Sequence, residues 1–336
     1  MIKIKISTPW SHTDYNTRLP FNQYPGYKFY FDESKEDFDY WIIWGGIKDE
    51  NETAFCPPEN IIYLTDEVHE ERFFNKYFLS QFASIITCRT DLTHRYLIPS
   101  HELNTWIVDK DFDCLYSTDY ISKSKMLSVV CSDHTWLPGH KERFAFVNKI
   151  IGHFKDRIDV FGRGFNPIED KYDALAPYKY SIAIENSVIP GYFTEKIADC
   201  YLTHTMPIYY GCPDIEKYFD PLSFHLINPL DYKTSIDTIE KIIEEDCYED
   251  FRSLLVSEKN NYLQHYHIFS SLIKILERNF SKINNKQLVT IKNEQCYSKG
   301  YYLNKAITNI HRMFSLPGRF YFSVYFDQGK TFANRK

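Results

Sequence analysis

Residues 178–212 read YKYSIAIENSVIPGYFTEKIADCYLTHTMPIYYGC, and this stretch decides the fold. It packs strand, polar loop, helix and strand into about three dozen residues, the scale of one βαβ unit. Residues 180–184 are apolar apart from Ser181 and too few for a typical helix, which predicts a buried strand of a parallel sheet ending at Glu185-Asn186. Pro190 and Gly191 mark the loop that follows. Thr194 offers a hydroxyl for an N-cap, and Ile197, Ala198, Tyr201 and Leu202 recur at helical spacing before a second strand over 206–210. Glu195 and Lys196 therefore fall in the first turn of the helix.

A lysine there opposes the positive end of the helix dipole at a cost of a few tenths to about one kcal/mol. Two readings account for it. In open α/β sheets the space beyond the strand carboxyl ends, capped by a helix N-terminus, binds phosphate, and Lys196 with the first backbone N–H groups would face such a ligand. Alternatively, Lys196 pairs with Glu195 or another nearby carboxylate.

The order of these residues carries a resemblance. Glu185-Asn186, the loop Pro190-Gly191-Tyr192, then Thr194-Glu195-Lys196-Ile197 and the run His204 through Gly211 together resemble the signature of the α-1,3/4-fucosyltransferases, glycosyltransferase family 10. The resemblance implies an α/β protein of the GT-B fold, two Rossmann-like domains facing a cleft. It implies transfer of L-fucose from GDP-fucose to a glycan hydroxyl with inversion and α-1,3 linkage, with no tightly bound cofactor and no metal. Glu185, Asn186, Tyr192, Thr194, Glu195 and Lys196 then form the donor set, with Glu195 accepting from the ribose hydroxyls. Arg163, in Gly162-Arg163-Gly164 after a strand over 158–161, stands where family members carry an arginine that meets the diphosphate, and its fork suits phosphate oxygens; a surface ion pair is the competing role. Arg143 matches a family arginine at a helix start, either structural or near the donor. Ser132-Asp133 replaces the usual Ser-Asn.

Composition bounds the reading. At 336 residues, two domains are the default. The expected division is 1–124 for the acceptor, 125–280 for the GDP-sugar donor and 281–336 as a tail or subdomain. The segment 110–125, rich in Asp, Ser, Thr and Lys, reads as the link. The net charge of −6 argues against a nucleic-acid partner. No apolar run reaches the roughly 18 to 20 residues of a membrane span, and the chain opens on MIKIKI without a signal-peptide pattern. The chain looks like the family's soluble bacterial kind, expected in the cytoplasm. The tail 301–336 mixes aromatics with Lys and Arg, so peripheral contact with an inner membrane and a packed subdomain both stay open. Eight scattered cysteines without C-x-x-C pairs read as thiols.

The amino-terminal part alternates strand candidates (2–6, 28–31, 40–43, 61–64, 84–87) with polar or helical stretches, including a helical rhythm over 70–80. The strand 61–64 runs into Thr65-Asp66-Glu67-Val68, carboxylates aimed at whatever cleft lies beyond its end. By the resemblance, Glu67 deprotonates the acceptor hydroxyl. Val68-His69 in place of the family's Ser or Asn and Pro leaves Asp66 as second choice, and a solvated acidic cluster with Glu70 and Glu71 as the plain alternative. Asp111-Phe112-Asp113 forms a D-x-D string of the metal-binding kind, better read as polar linker. Two rivals remain: a transferase of the same fold using another nucleotide sugar, and a non-enzymatic glycan-binding module rich in aromatics.

Overall fold

A computed structural model describes residues 1–10, 14–22, 24–31, 36–68, 70–280, 285–297 and 306. The expected membrane contact of the tail lies, apart from residue 306, outside the described residues. Among those described, no helix is long and apolar enough to cross a membrane.

The first half contributes seven strands: β1 (Ile2–Ser7), β2 (Tyr27–Tyr30), β3 (Tyr40–Trp44), β4 (Asn51–Cys56), β5 (Ile61–Leu64), β6 (Ser84–Thr87) and β7 (Leu97–Pro99). Six form a wholly parallel sheet in the order β2-β1-β3-β5-β6-β7. The central strands are buried on both faces, and successive residues alternate between two cores. Ile4, Ile6, Ile42, Ile62 and Leu64 face one side; Trp41, Ile43, Ile61 and Tyr63 face the other. The helix expected over 70–80 is shorter, α1 (Lys76–Leu79). Asn75 caps it, its side chain accepting from the Tyr77 N–H at 2.9 Å, while Arg72 is drawn back to the Asp66 carboxylate.

The linker region is not bare polar chain. It holds α2 (Phe112–Ser117), and both D-x-D carboxylates are employed in structure. Asp111 caps this helix at the Cys114 N–H, 2.7 Å, and Asp113 accepts from the Phe21 N–H at 2.8 Å.

The second half repeats the plan: β8 (Lys125–Val130), α3 (Pro138–Phe154), β9 (Asp159–Phe161), α4 (Lys171–Leu175), β10 (Tyr178–Ile184), α5 (Glu195–Leu202), β11 (Met206–Tyr210) and β12 (His225–Leu226). These strands make a parallel sheet, β12-β11-β10-β8-β9. Helices α6 (Tyr232–Glu245) and α7 (Tyr248–Asn261) follow, and α7 runs through a π-helical turn, Tyr262–Tyr266, into α8 (Ile268–Asn279). Helix α8 crosses back, and Ile268, Phe269, Leu272, Ile273 and Leu276 pack under the first sheet. A last strand, β13 (Gln287–Lys292), pairs antiparallel with β4.

In both sheets the first strand has its second on one side and its third on the other. The chain therefore reverses direction across each sheet between β1 and β3, and between β8 and β10, and open α/β sheets bind ligands in such crevices at the strand carboxyl ends. The two carboxyl edges meet. Val68, just past β5, packs with Tyr192 from the loop after β10, and the Ser187 hydroxyl donates to Glu70 at 3.2 Å.

Candidate active site

The second crevice is built by glycines and one buried glutamate. Strand β10 delivers Glu185, whose side chain is fully buried. Its carboxylate accepts from the Thr194 N–H at 2.8 Å and from the Thr194 hydroxyl at 2.7 Å. The N-cap of α5 is thus fastened to the strand behind it, and the anion that compensates this helix start is the protein's own. Gly211 makes room, since a Cβ there would stand 2.3 Å from Glu185 Cγ.

Lys196 Nζ sits in the same nest, 3.0 Å from Thr194 Oγ1, 3.1 Å from Glu195 and 3.3 Å from Glu185. Both sequence readings of Lys196 bear on this arrangement, because it is paired internally and also lies at the crevice. Burial lowers its affinity for a proton, but Glu185 and Glu195 outweigh burial and raise it. Burial pushes Glu195 up, and Lys196 and Lys171 more than reverse this, holding its carboxyl at about 2. Glu195 therefore stays an acceptor throughout the physiological range.

On the other side of the crevice α3 begins. A Cβ on Gly139 would lie 1.9 Å from the Asn186 carbonyl oxygen, so glycine lets the helix start sit directly against the loop after β10. One turn on, buried Arg143 donates to the Asn186 side-chain oxygen and to Ser132 Oγ at 3.4 Å, and its Nε has no hydrogen-bond partner among the described residues. Its charge acts on Lys196. Two cations, Lys196 paired to Glu185 and Glu195 and Arg143 held by Asn186 and Ser132, are thereby brought near each other at the crevice.

Arg163 is placed differently. Its side chain is 63% exposed, its Nε holds Asp133 at 2.8 Å and its Nη2 lies 2.6 Å from the His134 ring. The Asp that replaces the usual Asn is the partner of this arginine, whose hydrogen bond holds the Asp133 carboxyl below its ordinary value. The structure brings Asn186, Tyr192, Thr194, Glu195 and Lys196 together around Glu185, with Arg163 at the outer rim.

Across the cleft, Asp66 and Glu67 part company. The Asp66 carboxylate takes the Arg72 guanidinium at 3.0 and 3.1 Å, and Arg72 also holds Glu294 at 3.2 Å, which ties the turn to the segment after β13. Glu67 has its backbone carbonyl held by Arg89 at 3.0 Å, and its carboxyl lies among acids. Burial first, then Glu71, Asp66 and Glu102, push it up to about 9, and Lys196 from the start of α5 pulls it down.

Glu102 escaped the sequence reading. It is buried, takes a hydrogen bond from the Cys88 thiol at 3.1 Å, and its N–H donates to the Gly191 carbonyl at 2.8 Å. Burial raises its carboxyl to about 8. No local pattern marks it, because its partners are 14 and 89 positions away in the chain.

The comparisons with known proteins fall on the same segment. Residues 120–282 match the family model described as glycosyltransferase family 10 (fucosyltransferase), C-terminal part. Just under half of the chain is thus similar to a family 10 glycosyltransferase domain. An α-(1,3)-fucosyltransferase of Helicobacter pylori is 38% identical over 100 residues, 30% of this chain and 18% of that protein. A 4-galactosyl-N-acetylglucosaminide 3-α-L-fucosyltransferase of Pongo pygmaeus is 28% identical over 116 residues, 33% of this chain and 31% of that protein. The matched stretches span less than a third of either relative's length. Among solved structures, an α1,3-fucosyltransferase with GDP-fucose aligns at a TM-score of 0.46 and 20% identity, covering 84% of this chain and 93% of that one. The matched segment, residues 120–282, contains β8 through α8, and with them every residue of the second crevice.

Proposed function

We propose that this protein transfers L-fucose from GDP-fucose to a hydroxyl of a glycan acceptor, with inversion and α-1,3 linkage, the donor lying in the second crevice and the acceptor against the first. The observation that carries the reading is the meeting across the cleft of Glu67, a carboxyl desolvated among other acids, with the Lys196 cation, which in turn feels Arg143.

The chemistry follows from these groups. The acceptor oxygen attacks the anomeric carbon from the face opposite GDP, its proton passes to the Glu67 carboxylate, and the bond from the anomeric carbon to the phosphate oxygen breaks toward GDP. Negative charge grows on the diphosphate, where Lys196, Arg143 and the α5 start stabilise it. Losing one such preorganised partner costs about a hundredfold to a thousandfold in rate. Glu195, ionised, accepts from the ribose hydroxyls; Asn186 and Tyr192 line the donor loop, and Glu185 with Thr194 holds it in place. Arg163 meets the diphosphate only by exchanging Asp133 for it. A cytoplasmic site of action rests on the resemblance alone and is checked by cell fractionation.

A donor panel tests the reading. GDP release from GDP-fucose, faster than from GDP-mannose or UDP release from UDP-hexoses, and dependent on a glycan such as 4-galactosyl-N-acetylglucosamine, is the expected result. Turnover of a different nucleotide sugar in preference to GDP-fucose would move the assignment to another transferase of this fold.

A further inference from the structure

The first sheet has a switch point of its own, between β1 and β3, and nothing assigned so far occupies it. Trp10, three residues past β1, stands there. Its ring meets Trp44, the last residue of β3, edge-on at 5.3 Å and 75°, and Trp44 rests in turn on Tyr15 at 5.4 Å. Below the indole lies Gly45, at φ +71°, a backbone region that side chains disfavour. A Cβ at Gly45 would stand 2.7 Å from Trp10 Cη2 and 2.8 Å from Asp66 Oδ2. Glycine therefore lets the rim of the indole and the acidic turn after β5 close on one point. Arg72 fixes that point from beneath, donating to both the Gly45 carbonyl and Asp66.

The result is an indole supported along its edge with 38% of its surface in water; Trp41, Trp44 and Trp106 are buried, and the other exposed tryptophan, Trp136, lies in the second half against His134 and His140. It stands beside the strand end that carries Glu67, on the edge of the sheet that faces the donor domain. An indole face is electron-rich and attracts the polarised C–H bonds of a pyranose, which gathers its axial hydrogens into apolar patches. We propose that Trp10 is the platform on which a hexopyranose of the acceptor glycan stacks, presenting a hydroxyl of the same or the adjoining residue to Glu67. The proposal rests on the transferase reading for its role, but sugar stacking can be measured without turnover.

The test is saturation-transfer NMR on the whole protein with the methyl glycosides of glucose, galactose, mannose and N-acetylglucosamine, alongside GDP calorimetry and thermal unfolding. The expected result is transfer to the ring C–H protons of at least one glycoside in the wild type, lost in Trp10→Ala and in Trp10→Leu and retained in Trp10→Phe. Affinity should fall by about tenfold, the scale of one aromatic contact, with GDP affinity unchanged. Trp10→Leu keeps apolar cover over Gly45 without a ring, so it decides the matter if the alanine variant unfolds. Equal signals in wild type and a folded ring-less variant, or no signal from any glycoside in the wild type, overturn the proposal. Failure to bind GDP or GDP-fucose would instead overturn the transferase reading, so the two can fail separately.

Discussion

Asp66 and Glu67 are adjacent in the chain and opposite in employment, and that difference predicts opposite phenotypes. Glu67→Gln preserves size and most hydrogen bonding but cannot take a proton, so transfer should fall by at least the hundredfold or so of a lost general base, with GDP affinity nearly intact by calorimetry. Asp66→Asn should act on stability instead, because it takes one of the two carboxylates from Arg72 and leaves Glu294 to hold it; a loss of about 1–3 kcal/mol in denaturant unfolding is expected. If the asparagine variant is stable and inactive while Glu67→Gln turns over normally, the base is Asp66. The pH dependence carries the same signature. With its carboxyl at about 9 against an ordinary 4.5, Glu67 becomes more ionised as pH rises through neutrality, so kcat/KM should climb toward pH 9 and lose that slope in Glu67→Gln. The same raised value means that its contribution to folding is full below 4.5 and lost as pH rises through 9. On the donor side, Lys196→Ala should weaken GDP binding and lower turnover by about a hundredfold to a thousandfold; unchanged values of both would reduce Lys196 to an internal counter-ion of Glu185. If Lys196 and Arg143 supply the positive charge at the diphosphate, as proposed, turnover should persist in excess EDTA. Loss reversed by magnesium or manganese would refute that expectation.

At the scale of elements, the start of α5 works as one unit with the end of β10. Gly211→Ala places a carbon 2.3 Å from Glu185 Cγ and 2.6 Å from its Cβ, and this glutamate cannot move without releasing both the Thr194 N–H and hydroxyl. Overpacking of about 1–3 kcal/mol is expected, together with weakened GDP binding, since the displaced cap carries Lys196. A variant that is destabilised yet binds GDP as the wild type does would separate the cap from the donor site. This unit was legible in the sequence because its signals are local: an apolar run, a capping threonine and a helical spacing fix the Thr194 cap and strands β10 and β11 to within two residues. What the sequence hid is long-range. Arg143 was marked by the resemblance as structural or near the donor, but its contact was not: Gly139 closes on Asn186, 47 positions away, and no periodicity announces a helix start that fits against another loop. Strands β4 and β13 escaped for the same reason, since each is specified by a partner more than 200 residues distant. The helix read over 70–80 was cut short by Arg72 turning to Asp66, a charge pair that overrides an apolar rhythm.

The whole molecule is tied together by a chain that leaves the first sheet and later returns to it. One face of that sheet, with Ile4, Ile6, Phe29, Ile42, Ile62 and Leu64, is covered by α8, whose Phe269 and Leu272 are fully buried. The other face, with Trp41, Ile43, Ile61 and Tyr63, is completed by Ile291 of β13. A fragment of residues 1–124, though it contains every strand of the six-stranded sheet, lacks both covers and exposes an apolar face of the kind that drives aggregation. It should be insoluble, or expanded and lacking cooperative unfolding, while the full chain is not. In the full chain, Leu272→Asp buries an uncompensated charge against the same face and should cost more than about 4 kcal/mol. The damage should be confined to the first half, because the core of the second sheet closes with Leu263 just before the crossover. GDP binding should therefore survive conditions in which sugar transfer is lost. The measurement is denaturant unfolding followed by near-ultraviolet dichroism, with GDP calorimetry at each step. A fragment 1–124 that unfolds cooperatively on its own would show that α8 decorates the first sheet rather than completing it. Loss of GDP binding in step with transfer would show that the two sheets fold as one unit.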